Sequence, residues 1–179
     1  MIQKYTQTTY ETCLAVCLLQ AVNRIKGIKL TQRLELNCLI HSLKFSKDDF
    51  VIGHLDFISK KFNVNIERIF DNQYFFSYLK KLKSVPNTKM FVNKICLSLL
   101  NNILKKQPIL LVDSFYFNKV YHYPHWITIL NKIGTRYKIY DTWGGKEKTI
   151  EGKVLAKAIY SLRNHLKMCP QILVISANI

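Results

Sequence analysis

Cys13 stands where an extended polar segment, Tyr5 to Thr12, meets the apolar run Cys13-Leu-Ala-Val-Cys17. A thiol at the start of a helix faces unpaired backbone N–H groups and the positive end of the helix dipole, both of which favour thiolate. The same donors can stabilise an oxyanion. The plainer reading is a buried helix cysteine that packs as a small hydrophobe. For Cys17, one turn further in, that plainer reading is preferred; for Cys13 both stand. Gln7 lies six residues before Cys13. A side-chain amide there is a natural second oxyanion donor, although a glutamine taken alone is ordinarily a surface residue. His125 sits in Tyr123-Pro-His-Trp126, at the head of an alternating stretch, where a strand end can hold an imidazole rigidly. His122 competes for the role. His125 is preferred because the alternation begins directly after it, and the alternative for it is a histidine satisfied by backbone at a sheet end. Asp141 closes Tyr137-Lys-Ile-Tyr-Asp141. If the two stretches pair as a hairpin, Asp141 and His125 both come from its open end, and a carboxylate there would select the imidazole tautomer and stabilise the imidazolium. Asp141 also suits the start of a turn, Asp141-Thr-Trp-Gly-Gly145, and the two roles are compatible.

The elements that must position these residues change character along the chain. Cys13 to Lys26 is apolar almost all round until Asn23, as in a buried helix, and Gly27 suits its stop. Thr31 to Leu43 reads as a weaker helix. Ser46-Lys-Asp-Asp49 resembles a capping box ahead of a helical pattern at Phe50, Val51, His54, Leu55 and Ile58. Val64 to Ile69 alternates as a short strand. Asn72 to Lys83 and Thr88 to Lys106 read as two further helices. Pro108 to Asp113, Trp126 to Leu130 and Tyr137 to Tyr140 read as strands, the last two joined by a turn over 131–136 that contains Gly134. Val154 to Leu166 is helical, and Gln171 to Ser176 is a closing strand. The expectation is an α+β fold in a single domain, 1–179, with a helical part over about 1–107 packed on an antiparallel sheet part over about 108–179.

The chain of 179 residues can bury a core without disulfides or metals. Its five cysteines, at 13, 17, 38, 96 and 169, include no CxxC pair, so a disulfide framework or zinc ribbon is not expected. Cys13 and Cys17 would make half a metal site, but no second pair of ligands joins them; neither metal nor cofactor is expected. Glycine-rich nucleotide loops and the HExxH motif do not occur. The net charge of +16 points to an acidic partner, a nucleic acid or a membrane surface. Against this, the lysines are scattered between apolar positions, as on solvated faces. The aromatic residues form no RNA-binding signature. The N-terminus lacks the apolar core of a signal peptide, and no window has the length and hydropathy of a membrane span. A cytoplasmic location, or export without a classical signal, is the expectation.

Taken in order, Gln7…Cys13 with an apolar helix behind it, His125-Trp-Ile-Thr-Ile129 and Tyr140-Asp-Thr-Trp-Gly-Gly145 resemble the papain-like cysteine peptidases of the bacteriocin-leader-processing (double-glycine) family and its stand-alone relatives. The resemblance covers both ends of the chain; the middle, about 30–107, is similar only in being helical. It implies a papain-like fold with the nucleophile helix packed on the sheet. It implies Cys13 as nucleophile, His125 as general base and acid, Asp141 as its orienting carboxylate and Gln7 as oxyanion donor. The chain departs from the family at Leu14, where glycine often follows the nucleophile, and at Thr142, where proline usually follows the acid. The implied activity is hydrolysis of a peptide or isopeptide bond through a thioester. An acyl transferase on the same site is one alternative, and a catalytically inactive papain-like module that binds an acidic partner through its basic surface is another. A nucleic-acid-binding protein on an unrelated fold is a third, weaker reading.

Overall fold

The computed structural model describes residues 3–46, 48–82 and 84–178. A short 3-10 turn, Tyr10–Thr12, leads directly into helix α1 (Cys13–Lys26), whose first ten residues are all buried. An all-round apolar helix has to be enclosed, and this one is. Gly27 ends it with φ 67°, a left-handed conformation that glycine adopts without strain. Helix α2 (Gln32–Phe45) begins at Thr31, whose hydroxyl accepts the Leu34 N–H at 3.2 Å. Helix α3 (Phe50–Phe62) begins at Asp49, whose carboxylate accepts the Val51 N–H at 3.0 Å. The cap is therefore Asp49 and not Ser46. The Ser46 hydroxyl accepts from the N–H groups of Asp48 and Asp49 and shapes the turn before the cap. Lys47, within the expected capping box, lies outside the described residues.

After α3 come strand β1 (Val64–Phe70), helix α4 (Gln73–Leu79), strand β2 (Thr88–Val92), helix α5 (Leu97–Ile103) and a 3-10 turn, Leu104–Lys106. The rest is β3 (Ile109–Asp113), α6 (Phe115–Asn118), β4 (Pro124–Ile133), β5 (Arg136–Asp141), β6 (Lys146–Glu151), α7 (Gly152–Asn164) and β7 (Gln171–Ala177). Among the described residues the strands form one seven-stranded sheet in the order β2-β1-β7-β3-β4-β5-β6. The fold is α+β.

Several expectations need correction. The sheet is not confined to the last third of the chain, and it is mixed: β1 and β2 come from the part expected to be helical, and they pair in parallel. Thr88 to Val92 read as the first turns of a helix. It is instead an edge strand, registered on β1 from Ile66 opposite Thr88 to Phe70 opposite Val92. Threonine, phenylalanine and valine fit a pleated edge, and pairing with β1 outweighs the local helical pattern. Only the later part of the expected helix forms, as α5. Strand β6, which was not expected at all, extends the hairpin of β4 and β5. Helix α4 ends at Leu79, short of the expected Lys83, which lies outside the described residues.

Alternation along the strands feeds two cores. Val64, Ile66, Ile109, Leu111, Trp126, Leu173 and Ile175 pack with α1, α2 and α3 on one face of the sheet. Leu110, Val112, Ile127, Ile129, Ile139, Ile172 and Val174 pack with α5 and α7 on the other. The central strands are thus covered on both sides, which explains why β3 is buried at all five positions.

Candidate active site

Strand register places the histidine and the acid. Asp141 pairs across the sheet with Ile127, so His125, two residues earlier on the same face, is its diagonal neighbour. His125 Nε2 and Asp141 Oδ1 are 2.9 Å apart, and both side chains are almost wholly buried. His122 does not compete for this carboxylate. Its Nδ1 lies 2.6 Å from Asp113 Oδ2, and its ring stacks on Phe115. Asp113, which also accepts from Ser161 at 2.6 Å, belongs to a separate cluster.

Cys13 enters from the other direction, at the first position of α1, 6% exposed. Cys13 favours the charged form of the His125 imidazole. Burial opposes a charged imidazole, but Asp141 and Cys13 together outweigh it, and the His125 pKa rises to about 9. Asp141 is pushed up by burial, yet its hydrogen bonds and ion pairs with His125 and Lys148 hold it well below the ordinary carboxylate range. Cys17 is different. It is fully enclosed, burial raises it well above an ordinary thiol, and its Sγ lies 3.5 Å from the Trp126 carbonyl. It packs as a core residue.

Gln7 reaches the same region through a strap. Residues 5 to 8 are tied to β5 and α2: Tyr5 N–H donates to the Tyr140 hydroxyl at 2.7 Å, and Gln7 N–H donates to the Thr142 carbonyl at 3.0 Å. Glu35, fully buried on α2, accepts from the Tyr5 hydroxyl and from the Thr8 N–H and hydroxyl. The Gln7 side chain accepts from the Thr142 hydroxyl at 2.7 Å. Its Nε2 donates to the carbonyls of Thr9 at 2.9 Å and Tyr10 at 3.3 Å, on the turn that precedes Cys13. The amide is thus beside the N-terminus of α1 with both N–H groups engaged, the Tyr10 bond being the longer of the two. Thr142 supplies the hydroxyl that orients this amide, and Leu14 is fully buried in the α1 core. Thr142 and Leu14 therefore both have structural roles here.

Two further residues belong to the site. Lys148, on β6 opposite Ile139, places its Nζ 2.5 Å from Asp141 Oδ2. The two carboxylate oxygens are divided, one to His125 and one to Lys148. Trp143 donates its backbone N–H to Asp141 Oδ1 at 3.1 Å, and its ring lies edge-on to His125 at 5.8 Å and to Tyr10 at 4.2 Å. Lys148 escaped the sequence reading because β6 did. The alternation of Lys146, Lys148 and Ile150 after Gly144-Gly145 was the available signal.

A hollow of about 710 Å³ opens elsewhere, beside α4, lined by Asp71, Tyr74 and Cys169 among others. Asp71 is held there by Arg163, and burial raises the Cys169 thiol, so size alone does not make it an active site. Among the described residues no group of His, Cys, Asp and Glu is arranged to hold a metal ion, and no helix is long and apolar enough to cross a membrane. No protein-family model matches the chain, and no curated protein matches it in sequence.

Proposed function

We propose that the protein is a papain-like thiol hydrolase that opens a peptide or isopeptide bond through Cys13. The observation that carries this reading is the buried His125–Asp141 pair, 2.9 Å apart, with Cys13 at the first position of α1 favouring the charged imidazole. In the reaction, the Cys13 thiolate bonds to the carbonyl carbon, and the Gln7 amide and the Cys13 backbone N–H receive the oxyanion. The C–N bond then breaks, and the leaving amine takes the proton of the His125 imidazolium, leaving a thioester. Water, deprotonated by His125, attacks the thioester; the acid departs and the thiolate returns. Asp141 keeps Nε2 protonated throughout, so that Nδ1 is the nitrogen that exchanges protons with sulfur and amine. An amine in place of water would make the same intermediate a transferase step.

Two observations favour a second reading, a binding module without chemistry. Both N–H groups of Gln7 are already bonded, and a +16 chain can hold an acidic partner without any chemistry. The two readings are separated by limited iodoacetamide labelling of the native protein, mapped by mass spectrometry, with His125→Ala as control. The hydrolase reading expects Cys13 to be modified ahead of Cys96, the exposed thiol, and to lose that lead without His125. Labelling of Cys96 first, with no effect of the control, sinks the hydrolase and leaves the basic module.

A further inference from the structure

A cleft of about 330 Å³ adjoins the pair, lined by His125, Asp141 and Trp143 together with Ser114 and Phe117. Cys13 and Gln7 do not line it. In the proposed reaction His125 hands its proton to the leaving amine, so a cleft reached past the imidazole receives the residues that follow the scissile bond. We infer that this cleft is a subsite for an acidic side chain on the leaving-group side of the substrate, an inference that rests on the hydrolase reading.

Three features of the walls select a carboxylate. The Ser114 hydroxyl is buried, with the residue 2% exposed, and has no hydrogen-bond partner among the described residues. A buried hydroxyl without a partner is destabilising unless a ligand completes it. Its backbone is fixed, because the Ser114 N–H donates to the Tyr123 carbonyl at 2.9 Å, so the donor is held in place. Asn118 accepts the Val120 N–H through its side-chain oxygen and also lines the cleft. The charge balance is the third feature. Asp141 is the one acid on the walls, and both its oxygens are already bonded, to His125 and Lys148. Lys146, which pairs with Asp141 in the strand register and also lines the cleft, has no ion-pair partner among the described residues. A carboxylate would accept from Ser114 and neutralise Lys146, and its methylene stem would lie against Trp143 and Phe117.

The test uses the whole chain and a defined mixture of synthetic peptides that place each residue type on both sides of a central bond. Cuts are read by mass spectrometry, in parallel with iodoacetamide labelling of Cys13. Cutting should concentrate where Asp or Glu is the first or second residue after the bond. Glu should be preferred over Gln by about tenfold, the factor given by one well-placed charged contact of about 1.4 kcal/mol. Lys146→Ser and Ser114→Ala should each shrink the Glu-to-Gln ratio, and Lys146→Glu should turn the preference toward Lys. Cutting without an acidic preference, or a preference unchanged in these variants, overturns the subsite and leaves the hydrolase standing. If Cys13 is reactive but nothing is cut, Gly-Glu and Gly-Gln amides are compared as protectants against labelling. Stronger protection by the Glu amide supports the subsite, and equal protection overturns it. A Cys13 that is no more reactive than Cys96 removes the hydrolase reading and the subsite with it.

Discussion

At Asp141 one carboxylate serves two cations, and that division sets how the site should respond to pH. In the proposed reaction the His125 imidazolium is the acid that protonates the leaving amine, and its surroundings raise its pKa to about 9. Turnover should therefore fall as pH rises through about 9, as the acid loses its proton. Lys148 holds the opposite oxygen and places a second positive charge near the imidazolium. Lys148→Met should stabilise the imidazolium and move that limb upward, by of order one pH unit, while Lys148→Arg should hold it near its original position. A limb that stays put in the Met variant would make Lys148 a purely structural residue. Gln7 makes a separate prediction. An oxyanion donor supplies about 3 kcal/mol in the transition state, so Gln7→Ala should slow turnover by roughly a hundredfold with little change in KM. An unchanged kcat would remove Gln7 from the mechanism and leave its bonds to Thr9, Tyr10 and Thr142 as its only role.

At the scale of elements, the site depends on the strap of residues 5 to 8 lying against the turn between β5 and β6. Gly145 makes that approach possible. It has φ +59°, and a Cβ there would run into the Thr6 hydroxyl and backbone. Gly145→Ala should lower stability by about 1–3 kcal/mol, read as a fall in the thermal midpoint. It should also speed hydrogen exchange at the Gln7 N–H, which is bonded to the Thr142 carbonyl. Slow exchange at Gln7 in the variant would mean that the strap is held by Tyr140 and Glu35 alone. The Asp141-Thr-Trp-Gly-Gly145 segment was legible as a turn from its residue types. Its contact with Thr6 was not, because the two segments are far apart in the chain.

At the scale of the whole molecule, a buried ion pair joins the two halves. Arg68 on β1, 1% exposed, pairs with Asp49 at 2.6 Å and donates to Gln171 on β7 at 2.9 and 2.7 Å. Asp49 also caps α3, so one group ties the helical layer to strands β1 and β7 of the sheet. Arg68→Met should cost about 3–5 kcal/mol, because it leaves a buried carboxylate without its cation. Denaturant unfolding measures this. Cys13 should keep its labelling lead well below the lowered midpoint, since the network shares no residue with the site. Loss of that lead in a variant that is still folded would show coupling between the network and the site.

Residue type and local order determined much of this protein. The enclosed helix at Cys13 follows from an unbroken apolar run, and its stop from Gly27. The hairpin that carries His125 and Asp141 follows from two alternating stretches separated by a turn with glycine. These are local properties, readable within a few residues. Tertiary structure decided what depended on partners distant in the chain. Thr88 to Val92 is a strand because β1 offers it an open edge. His125 rather than His122 meets Asp141 because of register, while Asp113 holds His122. Lys148 meets the acid because β6 adds a third strand to the hairpin, on the same face as the pair. Pairing, register and burial are properties of several segments at once, and no single stretch of sequence contains them.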